Sequence, residues 1–216
     1  MKIRFKLIAK KSIYVPTLLG WLVLLVCGAT VSVVCVGHAY SFLAYDKPAN
    51  SNIFIIEGWV PDHVLEKCPE FRPDKCGLIL STGGPLEYGS YLSQYNNYAE
   101  VTLERLVALG FRSDSIVAVP NEEVDKGRTY AAALAVRQWL ADHPDVTSAN
   151  LISLGPHARR SYMTFKQVLP PTFELGVYAA RPADYDSEHW WRYSEGFRTV
   201  ISEGVAYFYA RFIRTH

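Results

Sequence analysis

Residues 150–169 read NLISLGPHARRSYMTFKQVL, and this stretch decides the fold. It begins with a largely apolar run of strand length and passes, after Gly155 and Pro156, into a segment that can form a helix. Continuous apolar runs are typical of strands that are covered on both faces, as in a parallel sheet. The stretch therefore predicts a strand followed by a helix, with a histidine and two arginines at the junction.

Further runs of the same kind lie at 52–57, 77–82, 115–119 and 174–179. Helical segments alternate with them: one ends at Gly110, a typical C-cap residue, and an alanine-rich one stops at Pro144. The alternation predicts an open, doubly wound α/β domain with a Rossmann-like three-layer architecture and a mostly parallel sheet.

The N-terminal part of the chain predicts a membrane anchor. Residues 17–36 carry no charge and, at 1.5 Å per residue, would span the ~30 Å hydrocarbon core of a bilayer. A cleaved signal peptide is the alternative, because it shares a basic start followed by an apolar run. Its apolar region is usually shorter, at about 7–15 residues, and residues 37–39 match the cleavage pattern poorly.

The charges around the apolar run predict an orientation. Five basic residues precede it, whereas the far side up to Asn50 offers only Lys47. The positive-inside rule then leaves the N-terminus in the cytoplasm and the rest in the periplasm of a Gram-negative cell. We expect a basic tail at 1–13, an inner-membrane anchor with its flank at 14–45 and a periplasmic α/β domain at 50–216. The lipid bilayer is thus a predicted partner. The net charge of +1 argues against nucleic acid as a second partner.

The C-terminal segment 194–213 is amphipathic and aromatic. Helical periodicity aligns five residues on one face: Phe197, Ile201, Val205, Phe208 and Phe212. One interpretation is that this face packs on the sheet. The other is that nearby aromatic residues bring the region to the membrane interface; these are Trp190, Trp191, Tyr207 and Tyr209.

The cysteines leave two interpretations open. In an oxidising compartment Cys68 and Cys76 could close a local disulfide, or they could be two unrelated buried thiols. No CxxC pair or histidine cluster is present, so we expect no zinc site. No Walker or dinucleotide-binding fingerprint is present either, and the sequence identifies no cofactor.

Residues just after the strands are the candidate ligand-binding groups, because open α/β sheets bind ligands beyond the carboxyl ends of their strands. Gly83 and Gly84 could form an anion-binding nest or simply a tight turn. His157 and Arg160 share a helix face and could point into one pocket, where the helix dipole would keep the histidine neutral. The alternative is a capping histidine with two solvated arginines. We expect Arg159 to point elsewhere.

Two carboxylates are placed to face the same pocket. Glu57 ends the first strand, and Glu100 lies in the first turn of a helix. Alternatively, Glu57 pairs with an arginine such as Arg128, and Glu100 complements its helix dipole. No G-x-S-x-G elbow occurs, so a Ser-His-Asp triad is not indicated.

Several motifs together resemble the YdcF-like family, which includes SanA and ElyC. The resemblance covers about residues 50–180, and its motifs are EGW at 57–59, STGGP at 81–85, YAE at 98–100, TYAAALAVRQWL at 129–140 and GPHARRS at 155–161. It implies a Rossmann-like domain and a role in the envelope barrier, in cell-wall (peptidoglycan) metabolism or in lipid-carrier-linked polysaccharides.

The resemblance also implies a set of site residues. The family's S-G-G corresponds to Thr82, Gly83 and Gly84, its acidic helix-opening residue to Glu100, and its H-x-x-R to His157 and Arg160. Many members have a threonine followed by Glu-Asn where this chain has Thr129 followed by Tyr130. Asp125 and Arg128 lie close enough to supply part of that polarity.

These observations lead to two functional hypotheses. In the first, the domain binds an anionic, phosphate-bearing envelope precursor through Gly83, Gly84 and Arg160. If it is an enzyme, it is a hydrolase or transferase in which His157 moves a proton and Glu57 orients water or a sugar hydroxyl. In the second, the protein is a non-catalytic scaffold that regulates cell-wall synthesis proteins.

Overall fold

The computed structural model describes residues 13–68, 70–86 and 94–213 and has an α/β architecture. Five strands form one all-parallel sheet in the order β3-β2-β1-β4-β5. They are β1 (Ile53–Glu57), β2 (Leu78–Gly83), β3 (Ile116–Pro120), β4 (Ser148–Leu154) and β5 (Glu174–Ala180). The predicted fold class is confirmed, and each predicted strand is present within two residues of its expected limits.

Six α-helices accompany the sheet. They are α1 (Leu18–Leu43), α2 (Asp62–Leu65), α3 (Tyr98–Ala108), α4 (Arg128–Ala141), α5 (Ala158–Val168) and α6 (Ser194–Phe212). Alternate strand side chains enter two separate apolar clusters. Ile55 and Leu151 pack with α4 and α5, whereas Ile56 and Ile152 pack with α2 and α3. Both faces of the sheet are therefore covered, which explains the continuous apolar strands.

Gly110 ends α3 as the sequence predicted. Its φ of 91° is in the left-handed region, and the amide of Phe111 donates to the carbonyl of Leu106. The amide of Gly110 donates to Val107, which completes a Schellman motif. A short 3-10 turn, Ser113–Ser115, then leads the chain into β3.

The chain divides into two compact units, residues 1–37 and residues 38–216. In the described part of the chain, α1 is the one helix long and apolar enough to cross a membrane. The side chains of its apolar stretch are largely exposed, as Leu22 and Val33 are. The predicted basic tail falls almost entirely on residues 1–12, which lie outside the described residues.

The interpretation that the aromatic face of α6 packs on the sheet is wrong. Its five residues are 47–72 % exposed, whereas Gly196 and Val200, on the other side of the helix, are buried. Trp190 and Tyr207 also point inward, against Leu43 and Val200. The inner side of α6 packs against a small apolar cluster that includes Leu43, Tyr185 and Trp190. The wider apolar face of the helix therefore remains exposed.

The predicted disulfide is not formed in the structure. Cys68 and Cys76 are both free thiols on the α2 side of the sheet, with Cys68 buried and Cys76 partly so. Burial raises the pKa of Cys76 to about 12, and the nearby Cys68 adds to the effect. The two thiols are therefore neutral at physiological pH.

Candidate functional site

A cleft of about 1000 Å³ opens at the carboxyl edge of the sheet. It lies where β1 and β4 run side by side while the helices that follow them cover opposite faces. The point at which successive helices change from one face of the sheet to the other is the usual ligand-binding position in an open α/β sheet. The cleft is lined by the ends of the strands and by α6, including Gly83, Arg128, His157, Arg160 and Glu203.

Glu57, the last residue of β1, is 3 % exposed at the base of the cleft. Its Oε2 accepts a hydrogen bond from Ser153 Oγ at 2.5 Å, and its Oε1 accepts one from Ser161 Oγ at 2.8 Å. Burial raises the pKa of this carboxyl, but the charge of His157 and these hydrogen bonds outweigh burial and lower it overall. Glu57 is thus an ionised carboxylate that lines the cleft while its two oxygens accept hydrogen bonds from serine hydroxyls.

His157 lies between two carboxylates. Its Nε2 is 3.5 Å from Glu57 Oε1, and its Nδ1 is 3.0 Å from Glu203 Oε1. The indole of Trp59 meets the imidazole edge-on at a centroid distance of 4.9 Å. The ring is therefore held from three sides in one orientation.

The prediction that His157 is neutral is wrong. Burial lowers the pKa of the imidazole, but the charge of Glu57 and the hydrogen bonds to Glu203 and Glu57 outweigh burial and raise it to about 9. The dipole of α5 acts in the direction that we expected, yet its partial charge is smaller than that of two adjacent carboxylates. The two flanking carboxylates therefore favour the protonated form of His157.

Arg160 and Glu203 complete the network. Arg160 donates from Nε to Oε2 of Glu203 at 2.9 Å and from Nη2 to Oε1 at 3.1 Å. Burial raises the pKa of Glu203, but the hydrogen bonds and charges of His157 and Arg160 lower it to about 2. Two carboxylates and two cations give the network no net charge, which makes its burial tolerable.

Sequence reasoning missed Glu203, although a signal existed. Gly196, Val200, Glu203 and Tyr207 recur at helical spacing on the inner side of α6. An acidic residue on such a face indicates a buried cationic partner.

Arg159 diverges from Arg160, as predicted. Its Nε donates to the carbonyl oxygen of Phe42. Its guanidinium lies over the rings of Phe42 and Tyr45, 4.1 and 4.4 Å from their centroids. The partners of Arg159 are therefore a backbone carbonyl group and two aromatic rings. Of the two neighbouring arginines, only Arg160 lines the cleft.

The turn after β2 brings Gly83 and Gly84 into the cleft wall. A Cβ on Gly83 would lie 2.6 Å from Tyr98 Cβ, and one on Gly84 would lie 2.9 Å from Asn121 Nδ2. Gly83 therefore needs glycine, because its neighbours include the backbone of α3, whereas the neighbour of Gly84 is the end of a side chain that can shift. Thr82 also borders the cleft, but its buried hydroxyl donates to the carbonyl of Ile56 at 2.9 Å and is not offered to a ligand.

The two remaining predicted residues have different positions. Arg128, the first residue of α4, lines the cleft. Glu100 does not line it, so its predicted ligand-binding role is wrong. Its carboxylate accepts a hydrogen bond from the amide of Asn96 at 3.0 Å, while its own amide donates to Asn97 Oδ1 at 2.9 Å. These reciprocal bonds make Glu100 a capping residue of α3.

Comparison of the chain with protein-family models, curated proteins and solved structures finds no match. The candidate site therefore has to be interpreted from its own geometry.

Proposed function

We propose that the protein is a single-pass inner-membrane protein of cell-envelope biogenesis or barrier function that binds an anionic, phosphate-bearing precursor in the cleft. The observation that carries the proposal is that His157 and Arg160 line one cleft with the Gly83–Gly84 turn, with Nη2 of Arg160 2.8 Å from Nδ1 of His157. A guanidinium binds phosphate oxygens through parallel hydrogen bonds, and the protonated imidazole adds a second charge. The resemblance to the YdcF-like family agrees with an envelope role.

Glu203 supports this interpretation in a specific way. Its carboxylate receives two hydrogen bonds from Arg160 and one contact from His157, which are the contacts that a phosphate oxygen would seek. We infer that Glu203 holds the anion subsite when no ligand is bound. An incoming phosphate replaces it on both cations.

Aromatic side chains suggest what the phosphate is attached to. Trp59, Tyr98, Tyr130 and Tyr209 line the same cleft. Aromatic rings present apolar faces to the C–H groups of sugar rings, and their polar edges remain available for hydroxyl groups. A phosphorylated saccharide therefore fits the cleft better than a free lipid phosphate.

A catalytic step, if there is one, is a hydrolase or transferase reaction in which His157 donates a proton. Its Nδ1 becomes available to a leaving oxygen once Glu203 has moved aside, while Glu57 holds the ring from the other side. Glu57 is then a positioning residue that keeps the imidazole protonated.

Binding measurements on the full-length protein in detergent test the proposal, with inorganic phosphate, pyrophosphate and a hexose 1-phosphate as probes. Arg160→Lys should weaken binding by roughly tenfold, because it keeps the charge but loses the fork. Glu203→Gln should strengthen binding, because it removes a competing negative charge. The matched control Arg159→Lys, outside the cleft, should leave the affinity unchanged.

Failure of all three probes to bind, or equal losses for both lysine variants, would contradict the proposed anion site. A complementation assay separates it from the scaffold hypothesis. His157→Ala and Arg160→Ala should abolish rescue of an envelope-permeability defect at normal membrane abundance, whereas a scaffold would tolerate both.

A further inference from the structure

The outward face of α6 is an exposed apolar stripe. Phe197, Ile201, Val205, Phe208 and Phe212 are all more than 45 % exposed. At 100° per residue they fall within about 80° of arc, whose centre lies about 140° around the helix from the buried Gly196. A continuous stripe of this kind marks a surface that contacts something other than water.

The inner side of α6 packs on the end of the candidate membrane helix. Leu43 is buried against Val200, and the rings of Phe42 and Tyr207 meet at a centroid distance of 5.4 Å. Only seven residues separate Leu43 from position 36, where the uncharged run ends. At helical rise this is about 10 Å, so chain length alone keeps α6 close to the bilayer surface.

The residues around the stripe suit a lipid interface. Tyr209 on α6 and Trp191 in the turn before the helix are both exposed, and such rings are favoured at the level of the headgroups. Arg198 and Arg211 are also exposed and lie on opposite flanks of the stripe. Arg198 is paired with the exposed Glu195, so it reaches an anionic lipid headgroup by exchanging this surface ion pair. An apolar stripe between two arginines is the pattern of a helix that lies in the membrane plane.

We propose that α6 is an interfacial helix whose apolar stripe enters the outer leaflet of the bilayer that α1 spans. The inference rests on the membrane anchoring proposed above. Because Glu203 is on the inner side of the same helix, α6 joins the lipid surface to the cleft. A ligand carried on a lipid would meet the cleft at the membrane surface.

Site-specific photo-crosslinking tests the proposal on the full-length protein in nanodiscs of phosphatidylethanolamine and phosphatidylglycerol. A p-benzoylphenylalanine replaces Phe208 on α6, Leu25 in α1 as the positive control, or Gln138 on the exposed side of α4 as the negative control. After irradiation, mass spectrometry detects lipid adducts. We expect lipid adducts in comparable yield at positions 25 and 208 and none at position 138.

Adducts at 25 without adducts at 208 would overturn the role of α6 and leave the anchor intact. Crosslinks from 208 to a second copy of the chain would also overturn it, because protein would then cover the stripe. No adduct at 25 would overturn the anchor itself, and with it both proposals.

Discussion

The chemistry of the cleft depends on the charge of one residue, His157. Its imidazole has a carboxylate on each side, and Glu57 and Glu203 are both more than four-fifths buried. A buried ion pair adds little stability by itself, but removing one partner leaves an uncompensated charge. The four charged groups of the network should therefore behave as one unit, in which any single substitution affects all the others.

This network should make stability depend on pH in the alkaline range. Because the pKa of His157 is raised to about 9 from its usual 6.5, its contribution is complete below pH 6.5 and is lost as the pH rises through 9. The loss in unfolding free energy is at most about 3 kcal/mol. Urea denaturation of the full-length protein in detergent, repeated across this range, measures it.

The matched variants decide whether His157 is the cause. His157→Gln should flatten the stability profile between pH 6.5 and 9. His63→Gln, at an exposed position on α2, should keep the slope of the wild-type protein. An unchanged slope in His157→Gln would refute the protonated state that the site requires.

At the scale of elements, the approach of α3 to the end of β2 shapes the cleft wall. Gly83 has a φ of 154°, and its α-carbon faces the first turn of α3. Asn97 caps that turn by accepting the amide of Glu100. The end of β2 and the start of α3 can approach this closely only because glycine, at position 83, has no Cβ to lie between them.

Gly83→Ala should be more destabilising than a glycine substitution that introduces backbone strain alone. The new Cβ would lie 3.1 Å from the amide nitrogen of Ala99 in addition to its contact with Tyr98. Gly110→Ala is the control, because Gly110 also has a positive φ but nothing lies within 4 Å of its Cβ position. The unfolding free energy should fall by roughly 1–3 kcal/mol more for Gly83→Ala. Equal losses would mean that α3 can move away at no cost.

At the scale of the whole molecule, the orientation of the chain across the membrane remains a prediction. The basic residues before the apolar run favour a cytoplasmic N-terminus. A periplasm-active reporter fused after His216 should be active, and one fused after Lys11 should be inactive. The reverse pattern would move the cleft to the cytoplasm.

The sequence by itself determined the sheet, the helix ends and the long apolar segment near the N-terminus. These features follow from local information: apolar runs of strand length, Gly110 at a C-cap, and a long run without charge. The pairing of His157 with Arg160 was also predictable, because both lie within one turn. Local periodicity relates only residues that are close in the chain. It therefore predicts single elements and contacts within one helical turn, but not contacts between distant segments.

Only the tertiary structure decided the charge of His157 and the direction of α6. Glu57 and Glu203 are 100 and 46 residues away from His157 in the chain, so no local pattern could show that they flank it. The periodicity of α6 identified an apolar face, but burial depends on which side its neighbours occupy. Contacts between distant segments set both the electrostatic potential at the site and the exposure of the stripe, and these contacts exist only in the folded chain.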